Sequence, residues 1–340
     1  MQLQSTVQAS LAKAQAENYM PHWSPDGSKL SYISNRDGKF QIYVMDRDGE
    51  NQQRVTDGAR HCFYPDWSPD GEKIVYQALD PVDNDYDIFT SSVDGTETRQ
   101  LTDNKVDDEQ PVWSPDGKKI LYQSEVDDGE WGGPEELWTI NPDGTENMQL
   151  TRTPEAYEYQ AVWSPDSSKI AFVSTRDTQP GDMYNQYEVY VMNGDGSDQR
   201  RLTQGPDSSY NPAWSPDGKK IAFTYGRDVS DIGAINVDGG DRTILTDLPT
   251  DDKWPEWSPD GKSIAFTSEY PNFLLYEMHT MNADGTGLAT IPENPLDDKL
   301  PKWSPDGTRI AFHSTRETHQ DEIYTCDPDG KNVVRLTGLE

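Results

Sequence analysis

The side chains of this chain best suited to acid-base or soft-metal chemistry are five histidines and two cysteines, and their spacing assembles no catalytic set. His22 and His61 each lack a second histidine at ligand spacing. His279 falls in a slot that elsewhere holds a large ring (Tyr43, Phe89, Trp138, Tyr190, Tyr324). His313 follows Phe312 where other segments place Val173 or Thr267, so both histidines read as packing residues. Cys326 shares the register of Met45, Met192 and Met281 and reads the same way. The sequence contains no G-x-S-x-G nucleophile elbow.

Binding chemistry is better represented. Rings interleaved with amides and carboxylates suit a sugar or a peptide, because flat apolar faces stack while polar groups fix orientation. Such a series recurs just before a repeated tryptophan: Tyr19, Phe63-Tyr64, Glu109-Gln110, Tyr159-Gln160, Tyr210-Asn211 and Lys253-Trp254. The competing role for these rings is to fill space. Acidic pairs stand slightly further upstream at Asp107-Asp108, Asp251-Asp252 and Asp297-Asp298, where they serve either as solvated surface or as an attractor of cations or a basic partner. Trp131, in Glu130-Trp131-Gly132-Gly133-Pro134, and the segment Met183-Tyr184-Asn185 add rings beside them. The expected ligand-binding set is Tyr19, His22, His61, Tyr64, Glu109, Trp131, Tyr159, Tyr210, Asp251, Asp252 and Trp254, with no catalytic or metal-ligating residue in it.

The elements that position these residues follow from a repeat. Trp-Ser-Pro-Asp-Gly begins at Trp23, Trp67, Trp113, Trp214, Trp257 and Trp303, and a seventh copy at Trp163 ends in Ser167. A period in the forties with several short strands per unit marks propeller blades. Each unit runs into its Trp, turns at Ser-Pro-Asp-Gly, alternates through a segment such as Lys169-Ile170-Ala171-Phe172-Val173 and then through one such as Glu188-Val189-Tyr190-Val191-Met192. It turns again at an x-Asp-Gly and ends in Leu-Thr, as at Leu202-Thr203. Period-two alternation bounded by turn residues predicts four strands, A to D. The fold class expected is all-β, a seven-bladed propeller of four-stranded antiparallel blades over 18–340, preceded by a segment 1–17 that reads as a short helix or a frayed end.

Length varies unevenly within the units. From the second-turn glycines Gly49, Gly95, Gly144, Gly196, Gly239 and Gly285 to the next Trp the distance is 18 or 19 residues, so nearly all variation lies in the B to C loops. Those loops and the D to A loops emerge on one face, which is therefore where function is expected. Gly233 stands where other units carry a ring, which predicts an underpacked fifth blade. The second turns, from Asp46-Arg47-Asp48-Gly49 to Asp327-Pro328-Asp329-Gly330, have part of a calcium-loop pattern. One turn supplies too few oxygens for the six to eight that Ca²⁺ takes, so no cofactor is expected and calcium is the one candidate ion.

Composition narrows the partners. The formal net charge of -32, from 61 acidic and 29 basic residues, repels phosphate backbones and anionic lipid, which excludes nucleic acid as a partner. No run of apolar residues is long enough to insert in a membrane, and the N-terminal residues carry no signal-peptide h-region. The two cysteines, Cys62 and Cys326, are too few for a disulfide framework.

The Trp-Ser-Pro-Asp-Gly motif, followed by Lys-Ile-Ala-Phe, an aromatic-rich strand, an Asn-x-Asp-Gly turn and Arg-Arg-Leu-Thr, resembles the PD40 repeats of TolB-like propellers and of propellers attached to prolyl oligopeptidases and the tricorn protease. That resemblance covers 18–340 and implies a non-catalytic module that grips a protein or peptide partner, in a periplasmic or secreted setting; the absence of a visible signal peptide leaves a cytoplasmic setting as the alternative. The second expectation is a carbohydrate-active propeller, a lyase or hydrolase acting on an oligosaccharide at the same mouth.

Overall fold

The computed structural model describes residues 16–126, 133–178, 186–270, 275–291, 297–318 and 320–338. Most of the segment expected as a helix or frayed end lies outside these residues, as do Trp131 and Met183-Tyr184-Asn185. Seven four-stranded antiparallel sheets follow one another along the chain, each built in the order A-B-C-D from consecutive strands, and the described residues contain no helix. The innermost strands are Asn18–Trp23, Cys62–Trp67, Asp108–Trp113, Glu158–Trp163, Ser208–Trp214, Asp251–Trp257 and Asp298–Trp303. Outer strands such as Gln53–Arg54 and Val334–Arg335 are only two residues long. This is the seven-bladed propeller that the repeat predicts.

The repeated residues are the joints of the structure. In the first blade Ser24 Oγ donates to Asp26 Oδ1 (2.7 Å), Lys29 N donates back to Ser24 Oγ (2.9 Å), and Gly27 takes a left-handed φ of 68°. The turn therefore satisfies itself, and glycine is needed at its end. The tryptophans tie blade to blade: Trp23 Nε1 donates to Lys302 O (3.0 Å), Trp67 Nε1 to His22 O (3.1 Å) and Trp257 Nε1 to Ala213 O (3.2 Å). The terminal Leu-Thr has its own task, since Thr56, Thr102, Thr151, Thr203, Thr246 and Thr337 each accept the backbone N–H at the start of their blade's strand C.

Strands B and C depart from simple alternation, because blades stack on both of their faces. In Lys29–Ser34 every residue after the first is buried, with Ser31 and Ser34 as fully covered as Leu30 and Ile33. Small residues on one side and large ones on the other let the blades approach. The fifth blade is not underpacked. A Cβ on Gly233 would stand 2.7 Å from Phe223 Cζ, so the phenylalanine already fills the slot, and the Arg242 guanidinium lies over its ring at 5.6 Å. The missing ring is replaced from the neighbouring strand and from strand D.

The ring closes by packing blade 7 against blade 1. Asn18 N donates to Asp321 O (2.7 Å) and Asn18 Nδ2 to Glu322 Oε2 (2.8 Å). Among the described residues no strand is exchanged between the first and last blades.

Candidate functional site

Every inner strand carries the same irregularity. The ladder between strands A and B slips at Tyr19/His22, Phe63/Asp66, Leu121/Gln123, Tyr159/Val162, Tyr210/Ala213, Lys253/Glu256 and Lys299/Lys302. At each slip the residue three before the tryptophan is left-handed: Met20, Tyr64, Gln110, Gln160, Asn211, Trp254 and Leu300 have φ between 50° and 56°. None is glycine. This conformation costs of order 1 kcal/mol per residue, so the fold holds a ring of seven β-bulges at the head of its channel. The bulge frees backbone N–H groups from the ladder, and neighbouring blades take them up: Gln110 N donates to Gln77 Oε1 (2.8 Å), Asn211 N to Gln160 Oε1 (2.8 Å) and Leu300 N to Thr267 Oγ1 (3.3 Å).

The bulges sort the inner strand into layers. Residues four, three and one before each tryptophan remain half-buried in all seven blades, except Tyr64, which is exposed at 39%. These residues form the successive layers of the inner wall. The upper layer combines Tyr19, Phe63 with Tyr64, Glu109, Tyr159, Tyr210 and Lys253 with Trp254. On the side of blades 1 and 2, Phe40 joins Tyr19 (5.6 Å) to Phe63 (5.4 Å), and His61 stacks on Phe63 with an interplanar angle of 6°. Tyr159 meets Tyr187 edge-on, Tyr210 Oη shares a hydrogen bond with Ser230 Oγ (2.8 Å), and Trp254 leans on Tyr276.

The structure thus brings Tyr19, His61, Tyr64, Glu109, Tyr159, Tyr210 and Trp254 to one mouth. His22 sits elsewhere, one residue before Trp23 in the deep layer with Asp66, Glu256 and Lys302; Lys302 Nζ pairs with Glu256 Oε2 at 3.0 Å. Burial, with the Lys302 charge beside it, lowers the His22 pKa to about 3, so its imidazole is neutral. Burial raises Asp66 to about 6, while it accepts the backbone N–H of Trp113 (2.8 Å).

The acidic pairs are not joint surface patches. In each, the first aspartate accepts a backbone N–H at the head of the previous blade's strand C: Asp107 from Tyr86, Asp251 from Ser230 and Asp297 from Tyr276. The second is buried between blades, Asp108 and Asp252 at 0% exposure and Asp298 at 1%. Asp252 accepts from Ser268 Oγ (2.6 Å) and Thr250 Oγ1 (2.9 Å) and does not reach the mouth. Alternation along the strand explains the split, since neighbours in a strand face opposite ways.

Sequence reasoning missed the carboxylates of blade 3. Glu135 and Glu125 are cross-strand partners beside Glu109, whose Oε1 accepts from Gln77 Nε2 (3.0 Å). Burial, reinforced by Glu109, Glu125 and Asp107, pushes Glu135 up to about 8. In a ring of seven, blade 3 faces blades 6 and 7, where Lys253 pairs with Glu269 (3.1 Å) and Lys299 with Asp297 (3.0 Å). Among the described residues, the mouth therefore carries carboxylates without an ion pair on the side of blade 3 and paired ones on the side of blades 6 and 7. Among the described residues no group of three or more His, Cys, Asp or Glu is arranged to hold a metal ion.

Two open clefts, of ≈ 710 and ≈ 350 Å³, lie on the opposite face, between blades 5 and 6 and between blades 1 and 2. Both are walled by residues of the repeated turns, where Asp217 Oδ1, for example, accepts from Ser215 Oγ and Lys219 N.

Seven four-stranded blades built on one repeated unit define the protein as a β-propeller. The sequence matches the family model of the TolB beta propeller domain (PD40) over residues 1–165 and 167–340, and the chain belongs to that family. A TolB homolog of Protochlamydia amoebophila is 38% identical over 48 residues, 14% of this chain and 10% of that protein. An uncharacterised protein of Agrobacterium fabrum is 36% identical over 59 residues, 17% of this chain and 20% of that one. The matched stretch thus spans a fifth or less of these relatives. Among solved structures, oligogalacturonate lyase of Vibrio parahaemolyticus superposes with a TM-score of 0.75 at 15% identity, covering 92% of this chain and 91% of that one. TolB of Acinetobacter baumannii gives 0.55 at 21%, covering 80% of this chain and 62% of that one. Acylaminoacyl peptidase of Pyrococcus horikoshii gives 0.67 at 15%, covering 95% and 52%. These likenesses show the shared fold.

Proposed function

We propose that this propeller is a binding module that grips a protein or peptide partner at the mouth formed by the B to C and D to A loops, in a periplasmic or secreted setting. The observation that carries this reading is the ring of left-handed bulges. Seven left-handed non-glycine residues at one level re-aim the inner strands and together present Tyr64, Gln110, Gln160, Asn211 and Trp254 at the channel head. Aromatic anchors beside amides suit an extended peptide segment. A photo-crosslinking residue in place of Tyr64 or Trp254 should capture one discrete partner in cells, and one in place of Lys118, on the turn face, should capture none. Trp254→Ala and Tyr159→Ala should weaken capture about 10-fold or more with the fold intact, as loss of a buried ring at an interface does. Capture from position 118 alone would place the partner on the wrong face for this reading.

A second reading, a carbohydrate-active enzyme, is favoured by one feature. Burial, with Glu109, Glu125 and Asp107 beside it, raises the Glu135 carboxyl to about 8, in the range that suits a general acid. Release of unsaturated or reducing sugar from a polysaccharide panel, abolished by Glu135→Gln, would support it over the binding module.

A further inference from the structure

The blades repeat one small device at the mouth. At the seam of blades 6 and 7, Asp297 Oδ1 accepts the Tyr276 backbone N–H (3.3 Å) and Asp297 Oδ2 pairs with Lys299 Nζ (3.0 Å), while that ammonium lies over the Tyr276 ring, 4.5 Å from its centroid. A carboxylate and an aromatic face thus hold the ammonium together, and both interactions strengthen as water is excluded. The seam of blades 5 and 6 keeps the acidic half of the device: Asp251 Oδ1 accepts the Ser230 N–H (2.8 Å) and Asp251 Oδ2 pairs with Lys253 (3.3 Å).

The seam of blades 2 and 3 has the tyrosine and the aspartate but no lysine of its own. Asp107 stands six before Trp113 as Asp297 stands six before Trp303. Tyr86 pairs with Leu79 and Tyr276 with Glu269, each of these twelve after its blade's tryptophan, so the two tyrosines are equivalent. The same bond joins them to the next blade, since Asp107 Oδ1 accepts the Tyr86 N–H (2.8 Å). Both rings are backed by an inner-strand ring of their own blade, Tyr86 by Phe63 at 6.2 Å and Tyr276 by Trp254 at 6.5 Å. The place of Lys299 and Lys253, however, is taken by Glu109, which accepts from Gln77 Nε2 (3.0 Å). Among the described residues no lysine, arginine or histidine forms an ion pair with Asp107 or Glu109. Burial first, with Glu125 adding to it, raises both carboxyls above their ordinary range, a condition that a cation beside them would relieve.

We propose that the seam of blades 2 and 3 is an ammonium-binding site at the mouth, where Asp107 and the face of Tyr86 receive a lysine side chain of the bound peptide. The inference rests on the peptide reading above for the source of that amine. What the chain supplies to itself at blade 7 it leaves to the partner at blade 3, and Glu109 adds a second negative charge exactly where a resident lysine would compete. A primary ammonium fits better than a guanidinium. The filled copy holds a compact point charge, whereas the planar fork of arginine seeks two parallel acceptors and one Asp107 oxygen already serves Tyr86.

The test is selection of displayed random heptapeptides on the full chain, followed by calorimetry of the selected peptides. Wild type should enrich peptides that carry lysine, and norleucine in place of that lysine should weaken binding about 10-fold. Glu109→Lys gives the seam its own lysine, as in blade 7. It should fold, and it should bind the lysine and norleucine forms equally. Asp107→Asn keeps an oxygen for the Tyr86 N–H and should also erase the difference, which decides the matter should Glu109→Lys fail to fold. Asp247→Lys makes the same change of charge on the exposed D to A loop of blade 5 and should keep the preference, which separates the site from general acidity. Binders without a lysine preference, or a preference that survives both Glu109→Lys and Asp107→Asn, would overturn this inference and leave the peptide reading standing. A selection that yields no binder at all would overturn both. Arginine bound as tightly as lysine would overturn the assignment to an ammonium.

Discussion

Restoring the ring that blade 5 lacks should weaken the protein. In five other blades the strand B ring stacks on a strand C ring, from Phe266 on His279 at 5.2 Å to Tyr76 on Phe89 at 5.8 Å. Gly233→Tyr would supply the missing partner for Phe223, yet its Cβ would fall 2.7 and 2.8 Å from Phe223 Cζ and Cε2. Phe223 is fully buried among Ile221, Ile235, Val189 and Leu202 and has no solvent to move into. Overpacking of this kind costs about 1 to 3 kcal/mol. For 340 residues the unfolding entropy is on the order of 0.7 kcal/mol/K, so Tm should fall by about 1 to 4 °C. Gly233→Ala carries the Cβ collision alone and should lose less. Combining Gly233→Tyr with Phe223→Leu should recover part of the loss, a coupling of about 1 kcal/mol in a double-mutant cycle by urea denaturation. A Gly233→Tyr protein at or above the wild-type Tm would mean that Phe223 swings back to a stacked position freely, and the argument from its packing would fail.

Two further outcomes follow from the blade seams. Burial, with neighbouring carboxylates beside Asp87, raises Asp87 to about 7 and Asp108 to about 6, above ordinary carboxylates. The folded protein then binds more protons than the unfolded chain between pH 4 and 7, so stability from these groups is full below that window and lost as pH rises through it, at up to about 1.4 kcal/mol per pH unit for each group. Asp87→Asn should flatten that slope, and an unchanged slope would show that Asp87 is ionised at neutral pH. Arg176→Met removes the cation from the fully buried Glu158 and the guanidinium stacked 4.9 Å over Tyr190. It should cost about 3 to 5 kcal/mol by chemical denaturation, and a loss below 1 kcal/mol would count against that pair as a joint of the blade.

The blades were legible because their punctuation is chemical: Ser, Asp and Gly close the first turn among themselves, and the tryptophans and terminal threonines bond to backbone at fixed places. The uneven lengths of the B to C loops likewise pointed to one face. What the pattern hid was orientation. Asp251 and Asp252 are adjacent letters, but one meets Ser230 N at the mouth and the other is sealed against Ser268. The bulges left a trace that went unread. Pro21, Pro65, Pro111, Pro212, Pro255 and Pro301 all stand two before the tryptophan, and a proline inside a strand marks a place where the ladder is interrupted. Glu135 gave no comparable trace, because Glu109 lies in another strand and Asp107 just before it.

Because every blade is one uninterrupted stretch of chain, the seam between Asn18 and Glu322 is chemically a seam like any other, held by side chains and one backbone bond to Asp321. Both ends of the described chain arrive there, with Gln52 Nε2 reaching Leu336 O at 2.9 Å. A covalent link across it, with a new opening cut in any D to A loop, leaves every blade whole and yields a circularly permuted ring with the same mouth. The order of the blades along the gene is thus free to rotate while their order around the axis stays fixed, and the mouth can gain or lose a whole unit only if the axis itself is rebuilt.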